Sequence, residues 1–193
     1  MTDTHHATAA MTARVRRLEE LLEQKGVLRG ADTDAFLERF LTTATPRNGA
    51  RIAARAWVDD AFRQRLLADA DSAVQELGYS MNDIGLRVVE NTADTHNVIV
   101  CTLCSCYPLP LLGPPPSWYK SEAYRARVVR DPRGVLQEFG LTLPATTAID
   151  VWDSTSELRY MVLPRRPADS SGRTEEELAD LVTRDGLVGT ATV

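Results

Sequence analysis

The cysteines are the residues of this chain whose spacing points most directly to chemistry. All three lie within six residues, at Cys101, Cys104 and Cys106, with the spacing CxxCxC. Three thiols this close cannot form a disulfide framework in a reducing compartment. Thiolates are soft donors, which bind transition metals in preference to magnesium or calcium. The spacing therefore predicts a metal or redox site in residues 101–106, which we call the claw segment.

The number of available ligands argues against the two commonest kinds of thiolate metal site. A structural zinc ion usually takes four side-chain ligands, and an iron–sulfur cluster normally takes four cysteines. His96 is the only histidine outside the N-terminal tail. It precedes a predicted strand over 97–100, which would hold it roughly 15 Å or more from Cys101. We therefore expect structural hydrogen bonds from His96, while a structural zinc site or a vacant site stays open as an alternative.

A single ion bound by so short a segment would also face its backbone nitrogens. Three sulfurs and two deprotonated amides would supply strong-field donors and leave one position open. Such a donor set favours a trivalent, low-spin cobalt or iron ion. An open position on a Lewis acid can polarise a small substrate or activate water.

The elements that must position the claw segment follow from the hydrophobic pattern. Apolar residues at helical spacing predict a helix over 11–26, and a second short helix is predicted over 32–41. Turn-forming residues over 42–49 mark a boundary, which divides the chain into an N-terminal helical arm (1–48) and a metal-binding catalytic domain (49–193). The apolar stripe of the arm packs either on its own domain or on a partner chain.

The pattern of the main domain is mixed. Residues 51–77 predict two helices with a break near 69–72, and a capping box at Thr174 and Glu177 opens a last helix. Prolines 108, 110 and 114–116 are expected to exclude regular helix. Further helices are predicted over 117–130 and 132–139, and strands over 86–89 and 97–100, with 149–152 and 158–163 as a strand pair. The fold class is α+β, with the arm followed by a layered α/β domain in which helices flank a small sheet.

Composition excludes some classes of protein. The net charge is −5 and no basic face is evident, which argues against a nucleic-acid partner. No apolar run is long enough to span a bilayer, and residues 1–10 do not resemble a signal peptide. We therefore expect a cytoplasmic protein without a membrane segment, and no metal role for His5 and His6.

Several blocks of the sequence, taken in order from about residue 50 to the end, resemble the nitrile hydratase α subunit. The similarity is weaker in the arm, and a series of matched blocks is far more specific than a lone CxxCxC. The blocks are RAWV (55–58), VENT (89–92), VCTLCSCYP (100–108), PSWYK (116–120), DPRG (131–134), VWDS (151–154), RYMVLP (159–164) and LVTRD (181–185).

This resemblance implies roles for the claw segment. Cys101, Cys104 and Cys106 would ligate the metal through sulfur, and the amide nitrogens of Ser105 and Cys106 would complete the site. Cys104 would be a sulfinic acid and Cys106 a sulfenic acid, both of which are steps of ordinary thiol oxidation.

The resemblance also implies the metal and the partners. Thr102 and Tyr107 mark the cobalt type of the family, so Co(III) is expected and Fe(III) is less favoured. A β subunit, in one or more copies, would supply arginines to the oxidised sulfurs, and an activator protein would assist cobalt insertion. The arm would wrap the β subunit in the resulting hetero-oligomer.

The reaction implied is the hydration of a nitrile to the corresponding amide. The nitrile nitrogen would occupy the open position on the metal, and either the Cys106 sulfenate oxygen or a metal-activated water would attack the nitrile carbon. The alternatives are the metal subunit of a thiocyanate hydrolase, which shares the claw, and a metal-binding subunit without turnover.

Leu109 departs from the family pattern. The family usually has tryptophan between the two prolines, and here the segment reads CYPLP. The loss of the indole predicts room for a bulky or heteroaromatic nitrile, such as the nucleoside-like toyocamycin. Compensation by the β subunit is an equal alternative.

Four further residues are candidates for the substrate pocket or the surroundings of the metal. Trp118 would line the pocket unless it is an ordinary core tryptophan. Glu90, at the end of a strand, would approach the metal site unless it is a solvated strand end. Arg166, like Arg159, would pair with acids near the claw or across the subunit interface unless it forms surface ion pairs.

Overall fold

The computed structural model describes residues 9–193, so His5 and His6 lie outside the described residues. The chain divides into two compact units, which meet in sequence at Thr43 and Ala44. The assignment of residues 1–48 to a partner-wrapping arm stays a prediction. In the described part no helix is long and apolar enough to cross a membrane.

The first unit consists of two helices, α1 (Ala9–Gln24) and α2 (Gly30–Thr43), close to the predicted ranges. The chain leaves α1 through Gly26, whose φ of +67° is a left-handed conformation that glycine adopts without strain. Neither helix contains a buried residue. Their exposed apolar side chains include Met11, Val15, Leu18, Phe36, Leu37 and Leu41.

The second unit begins with three helices where two are predicted. They are α3 (Pro46–Val58), α4 (Asp60–Ala68) and α5 (Ala70–Glu76). The break that the pattern does not predict is at Asp59, whose carboxylate accepts a hydrogen bond from the Phe62 amide and so caps α4. Asp69 caps α5 in the same way, at the break that the sequence predicts.

The sheets are parallel and two-stranded. β1 (Gly85–Glu90) pairs with β4 (Leu158–Leu163), and β2 (Thr95–Val100) pairs with β3 (Ala148–Asp153). The predicted pairing of the last two strands with each other is therefore wrong. Their short connection carries the chain from one sheet to the other, where each strand finds a parallel partner far away in sequence. Helices α4 and α5 pack against β1.

The proline-rich stretch departs from its prediction. α6 (Leu109–Leu112) is one helical turn, although regular helix was not expected there. Pro110 is tolerated because it lies in the first turn, where no intrahelical N–H bond is needed. A 3-10 helix (Ser117–Lys120) and α7 (Glu122–Val128) replace the single helix predicted over 117–130.

The rest of the unit follows its sequence signals more closely. α8 (Pro132–Glu138) is capped by Asp131 and packs against β3. The capping box of Thr174 and Glu177 is complete and opens α9 (Glu175–Ala179). One more helix, α10 (Arg184–Val188), is not predicted. Helices packed against small parallel sheets give the mixed α+β class that the sequence predicts.

A buried polar network fixes the start of β2. His96 is the second residue of this strand rather than the residue before it. Its ring contacts the Gly189 carbonyl through Nε2 (2.7 Å) and the Asn91 amide through Nδ1 (3.3 Å). These contacts fit a neutral ring that donates to the carbonyl and accepts from the amide. His96 therefore makes the structural hydrogen bonds expected of it.

We predict that the stability of the chain falls as the pH drops below neutrality because of His96. Burial lowers the pKa of His96, so the unfolded chain binds its proton first, near pH 6.5. Stability from this group is complete above that pH and is lost as the pH falls towards the folded pKa. Between pH 7.5 and 5.5 the midpoint of thermal unfolding should drop by roughly 2–5 °C. The drop should vanish in His96→Gln, and scanning calorimetry that finds the same slope in both proteins would contradict this account.

Candidate metal centre

The three cysteines meet directly after the end of β2. Cys101 Sγ lies 3.3 Å from Cys104 Sγ, which lies 3.2 Å from Cys106 Sγ. All three sulfurs lie within 4.8 Å of one another, and no histidine or carboxylate joins the group in the described residues. Cys101 is buried, Cys106 is half-buried and Cys104 is exposed. Three sulfurs can thus hold one ion from one side, and the tetrahedral set of a structural zinc site is not present.

The claw segment is held at its start by Asp153. Parallel pairing places Asp153 opposite Val100, the last residue of β2. The carboxylate accepts hydrogen bonds from the Thr102 amide (2.9 Å) and the Thr102 hydroxyl (2.5 Å). Arg125 donates to the Thr102 carbonyl (3.2 Å). Asp153 was not predicted as a site residue, because its role depends on the register between two strands far apart in sequence.

Buried tyrosines lie behind the claw segment, and one of them holds its end. Tyr119 is fully buried and donates its hydroxyl to the Cys106 carbonyl (2.9 Å). Tyr107 packs edge-on against it, with ring centroids 4.9 Å apart, and Tyr124 donates to the Ile99 carbonyl (2.7 Å). Burial raises the pKa of all three tyrosines, so their hydroxyls stay neutral, and those of Tyr119 and Tyr124 act as donors. Tyr119 belongs to the block PSWYK, but its contact with Cys106 was not predicted.

The thiols differ in acidity because of their surroundings. Hydrogen bonds from Cys106 and Cys101 lower the pKa of Cys104 to about 7. Burial, together with the neighbouring Cys104, raises the pKa of Cys106 to about 12. A thiolate at Cys104 is therefore stabilised by two thiol donors. The exposed sulfur is the most reactive of the three.

The predicted pocket residues lie in different surroundings. Leu109 starts α6 three residues after Cys106 and is half-buried against the core. Trp118 is half-buried and packs edge-on against Tyr124 and Phe139, as a core tryptophan would.

The two charged candidates have partners of their own. Glu90 forms a two-pronged ion pair with Arg63, at 2.7 and 2.9 Å. Arg166 donates to the Trp57 carbonyl and to Ser170. The described hydrogen bonds of Glu90 and Arg166 therefore do not reach the claw segment. A role for either in the site stays a prediction.

The chain is similar to known proteins over nearly its whole length. The family described as nitrile hydratase, alpha chain, matches residues 9–191. The low-molecular weight cobalt-containing nitrile hydratase subunit alpha of Rhodococcus rhodochrous is 54% identical over 180 residues, 93% of this chain and 87% of that protein. The thiocyanate hydrolase subunit gamma of Thiobacillus thioparus is 39% identical over 186 residues, 90% of this chain and 76% of that protein. A solved double mutant of the Fe-type nitrile hydratase from Comamonas testosteroni Ni1 is 40% identical, with a TM-score of 0.91 over 97% of this chain and 92% of that one.

We predict that Asp153 controls access to the buried thiol in the reduced, metal-free chain. Site-resolved alkylation followed by mass spectrometry should modify Cys104 first and Cys101 last. Asp153→Ala removes the two hydrogen bonds that the carboxylate accepts from Thr102. It should therefore raise the rate at which Cys101 is alkylated by roughly tenfold or more. Glu157→Ala, in the same connection, is the matched control and should leave the rate unchanged. Equal rates of Cys101 alkylation in the parent and in Asp153→Ala would show that the hydrogen bonds of Asp153 do not order the claw segment.

Proposed function

The chain belongs to the nitrile hydratase α-chain family, and on that premise we propose that it hydrates a nitrile to an amide at a Co(III) ion held by its clustered cysteines. The observation that carries the proposal is the approach of three sulfurs to within 4.8 Å of one another. The ligands we propose are the sulfurs of Cys101, Cys104 and Cys106 with the amide nitrogens of Ser105 and Cys106. When bound, the metal supplies a Lewis acid that polarises the nitrile.

The choice of cobalt over iron rests on two side chains and on the relatives. Thr102 and Tyr107 are the residues that the resemblance associates with the cobalt type. The Rhodococcus rhodochrous relative, at 54% identity, is cobalt-containing by name. A solved relative that is Fe-type by its title has the same fold, so the architecture does not distinguish cobalt from iron. We therefore assign Co(III) on the local residues and not on the architecture.

We assign different roles to the residues of the metal centre. Buried Cys101 anchors the segment, while the exposed side of Cys104 and Cys106 faces the substrate. Cys106, as a sulfenate, delivers or orients the oxygen that reaches the nitrile carbon. One water is consumed for each nitrile: its oxygen becomes the amide oxygen, and its two protons end on the amide nitrogen. Asp153 and Tyr119 hold the two ends of the claw segment in place during the hydration.

The exposed surroundings of the centre support a need for a partner. Leu103, between two of the cysteines, is 90% exposed, so the open face of the site carries an uncovered apolar side chain. We propose that a β subunit covers this surface and supplies arginines to the oxidised sulfurs. Helices α1 and α2 expose an apolar stripe that fits the wrapping role proposed for the arm. An activator protein for cobalt insertion completes the proposed set of partners.

The proposal predicts a defined composition for the chain co-expressed with its genomic neighbours in cobalt-containing medium. Metal analysis should find about one cobalt per chain, because three sulfurs and two amides complete a single site. Intact mass should show two added oxygens on Cys104 and one on Cys106, and the complex should convert nitriles to amides. Hydrolysis of thiocyanate without nitrile hydration would favour the alternative seen in the Thiobacillus thioparus relative. Zinc without cysteine oxidation would contradict the enzyme altogether.

The substrate we propose is a bulky or heteroaromatic nitrile. Leu109 lies three residues beyond Cys106 and is only half-buried against the core, so part of its side chain is accessible to solvent. A leucine at this position occupies less volume than the tryptophan usual in the family. We infer that the difference is space for the ring of the substrate.

Leu109→Trp tests this inference. Trp at 109 should lower kcat/KM for a bulky heteroaryl nitrile by roughly tenfold and change kcat/KM for acrylonitrile by less than about threefold. Leu109→Met, which conserves volume, is the control and should leave both substrates nearly unaffected. Steady-state kinetics in which the tryptophan variant still accepts the bulky nitrile would assign the space to the β subunit instead.

A further inference from the structure

Helix α7 contacts the backbone on both sides of Cys101. Tyr124 donates its hydroxyl to the Ile99 carbonyl (2.7 Å), two residues before Cys101. Its neighbour Arg125 donates from Nη1 to the Thr102 carbonyl (3.2 Å), one residue after Cys101. Two consecutive residues of one helix therefore hold the chain at the point where β2 ends and the claw segment begins.

The helix that carries Arg125 is itself held in place. Ser121 caps its first turn by accepting a hydrogen bond from the Tyr124 amide (3.2 Å). The Tyr124 ring is buried and packs edge-on against Trp118 and Phe139, with ring centroids 4.9 and 6.1 Å apart. A side chain on such an element can position another group, because packing already fixes the element from which it extends.

Thr102 is held on both of its peptide groups by charged side chains. Its N–H, which belongs to the peptide group shared with Cys101, donates to Asp153 (2.9 Å). Its carbonyl, which belongs to the peptide group shared with Leu103, accepts from Arg125. The φ and ψ angles of Thr102 rotate these two peptide groups against each other. The two hydrogen bonds together therefore restrict both angles.

The backbone angles of Thr102 decide where the next cysteine lies. Cys104 follows two residues later, and its amide donates to Cys101 Sγ (3.3 Å). Leu103, between them, is 90% exposed, so packing of its side chain contributes little to the turn. The direction of the chain from the first sulfur to the second therefore depends on Thr102 and on the two charged groups that hold it.

Arg125 differs in its contacts from Arg127, two residues further along α7. Arg127 forms a two-pronged ion pair with Glu138 (2.9 and 2.7 Å) on the exposed surface. Arg125 is half-buried and donates to the claw segment. A hydrogen bond from a charged donor is about twice as strong as one between neutral groups. The contact that Arg125 makes is therefore strong enough to order a backbone carbonyl.

We propose that Arg125 is a positioning residue of the metal centre, which together with Asp153 holds Thr102 so that the sulfurs meet before a metal ion arrives. The inference rests on the proposed function, because these sulfurs are the ligands assigned there to cobalt. Asp153 alone fixes one peptide group of Thr102 and leaves the other free to rotate. The two contacts therefore act as one unit, and the loss of either releases Thr102.

The first test is a double-variant cycle on the full chain in its reduced, metal-free form. Arg125→Met keeps the aliphatic stem but removes every donor, and it should raise the rate at which Cys101 is alkylated by roughly fivefold or more. The double variant with Asp153→Ala should be alkylated about as fast as Asp153→Ala alone, because Thr102 is already free once Asp153 is gone. Site-resolved mass spectrometry measures each rate.

Arg125→Lys and Arg127→Met are the controls. Lysine keeps a charged N–H donor on a flexible stem, so Arg125→Lys should recover part of the protection of Cys101. Arg127→Met removes an arginine and its two hydrogen bonds from the same helix. It should leave the rate of Cys101 alkylation unchanged, whatever its effect on the thermal midpoint.

The second test uses the complex co-expressed with its genomic neighbours in cobalt-containing medium. Arg125→Met should lose part of the cobalt bound per chain, because the sulfurs no longer lie ready for the ion. The visible absorption that arises from charge transfer between sulfur and cobalt should shift, when it is compared per cobalt bound. Arg127→Met should match the parent in both measurements.

Three results of the alkylation test would overturn the proposal for Arg125. The first is a parent-like rate at Cys101 in Arg125→Met. The second is an equal increase in Arg127→Met, which would make the effect a general one of the helix. The third is a double variant whose increase is the product of the two single increases, which would make the contacts independent. If Arg125→Met does not fold, Arg125→Gln takes its place in each comparison.

Failure of the proposed function gives a different result. The parent complex would then contain no cobalt, while the alkylation rates of the metal-free chain would still follow the pattern predicted for Arg125 and Asp153.

Discussion

The hydrogen bonds between Asp153 and Thr102 are the interaction on which the geometry of the centre depends. A loop of six residues that must bring three sulfurs together cannot be stiff by itself, because each residue loses backbone entropy when it is ordered. The carboxylate binds the Thr102 amide and hydroxyl directly after Cys101. Tyr119 binds the carbonyl of Cys106 at the other end. The segment is therefore held at both ends by groups that do not ligate metal.

Charge is the second constraint on this region. Sulfurs that lie 3.2–3.3 Å apart repel one another once they are ionised. The fold places neutral, buried tyrosines behind the segment and the half-buried Arg125, which donates to the Thr102 carbonyl, beside it. An apolar back wall excludes water and strengthens electrostatic interactions in front of it. On the open side Leu103 and Cys104 are exposed, and we propose that the substrate and the partner subunit approach there.

Much of the local structure can be predicted from sequence because its causes are local. The cap at Asp69, the capping box of Thr174 and Glu177, and the stop at Gly26 are each contained in a few consecutive residues. The chemistry of the site is equally local, since all three sulfurs lie in one short segment. Asp59 is a useful exception: its capping role is local, but it lies inside an uninterrupted amphipathic run that favours one long helix.

The sequence by itself determined the family, the α+β class and the cysteine cluster, because each is expressed by spacing within a segment or by blocks in order. Only the tertiary structure decided which strands pair, and with that which residues support the cluster. Asp153 reaches Thr102 across 51 positions, and Tyr119 reaches the Cys106 carbonyl from a 3-10 helix. Parallel strands require partners far apart in the chain, and no short-range pattern records their register.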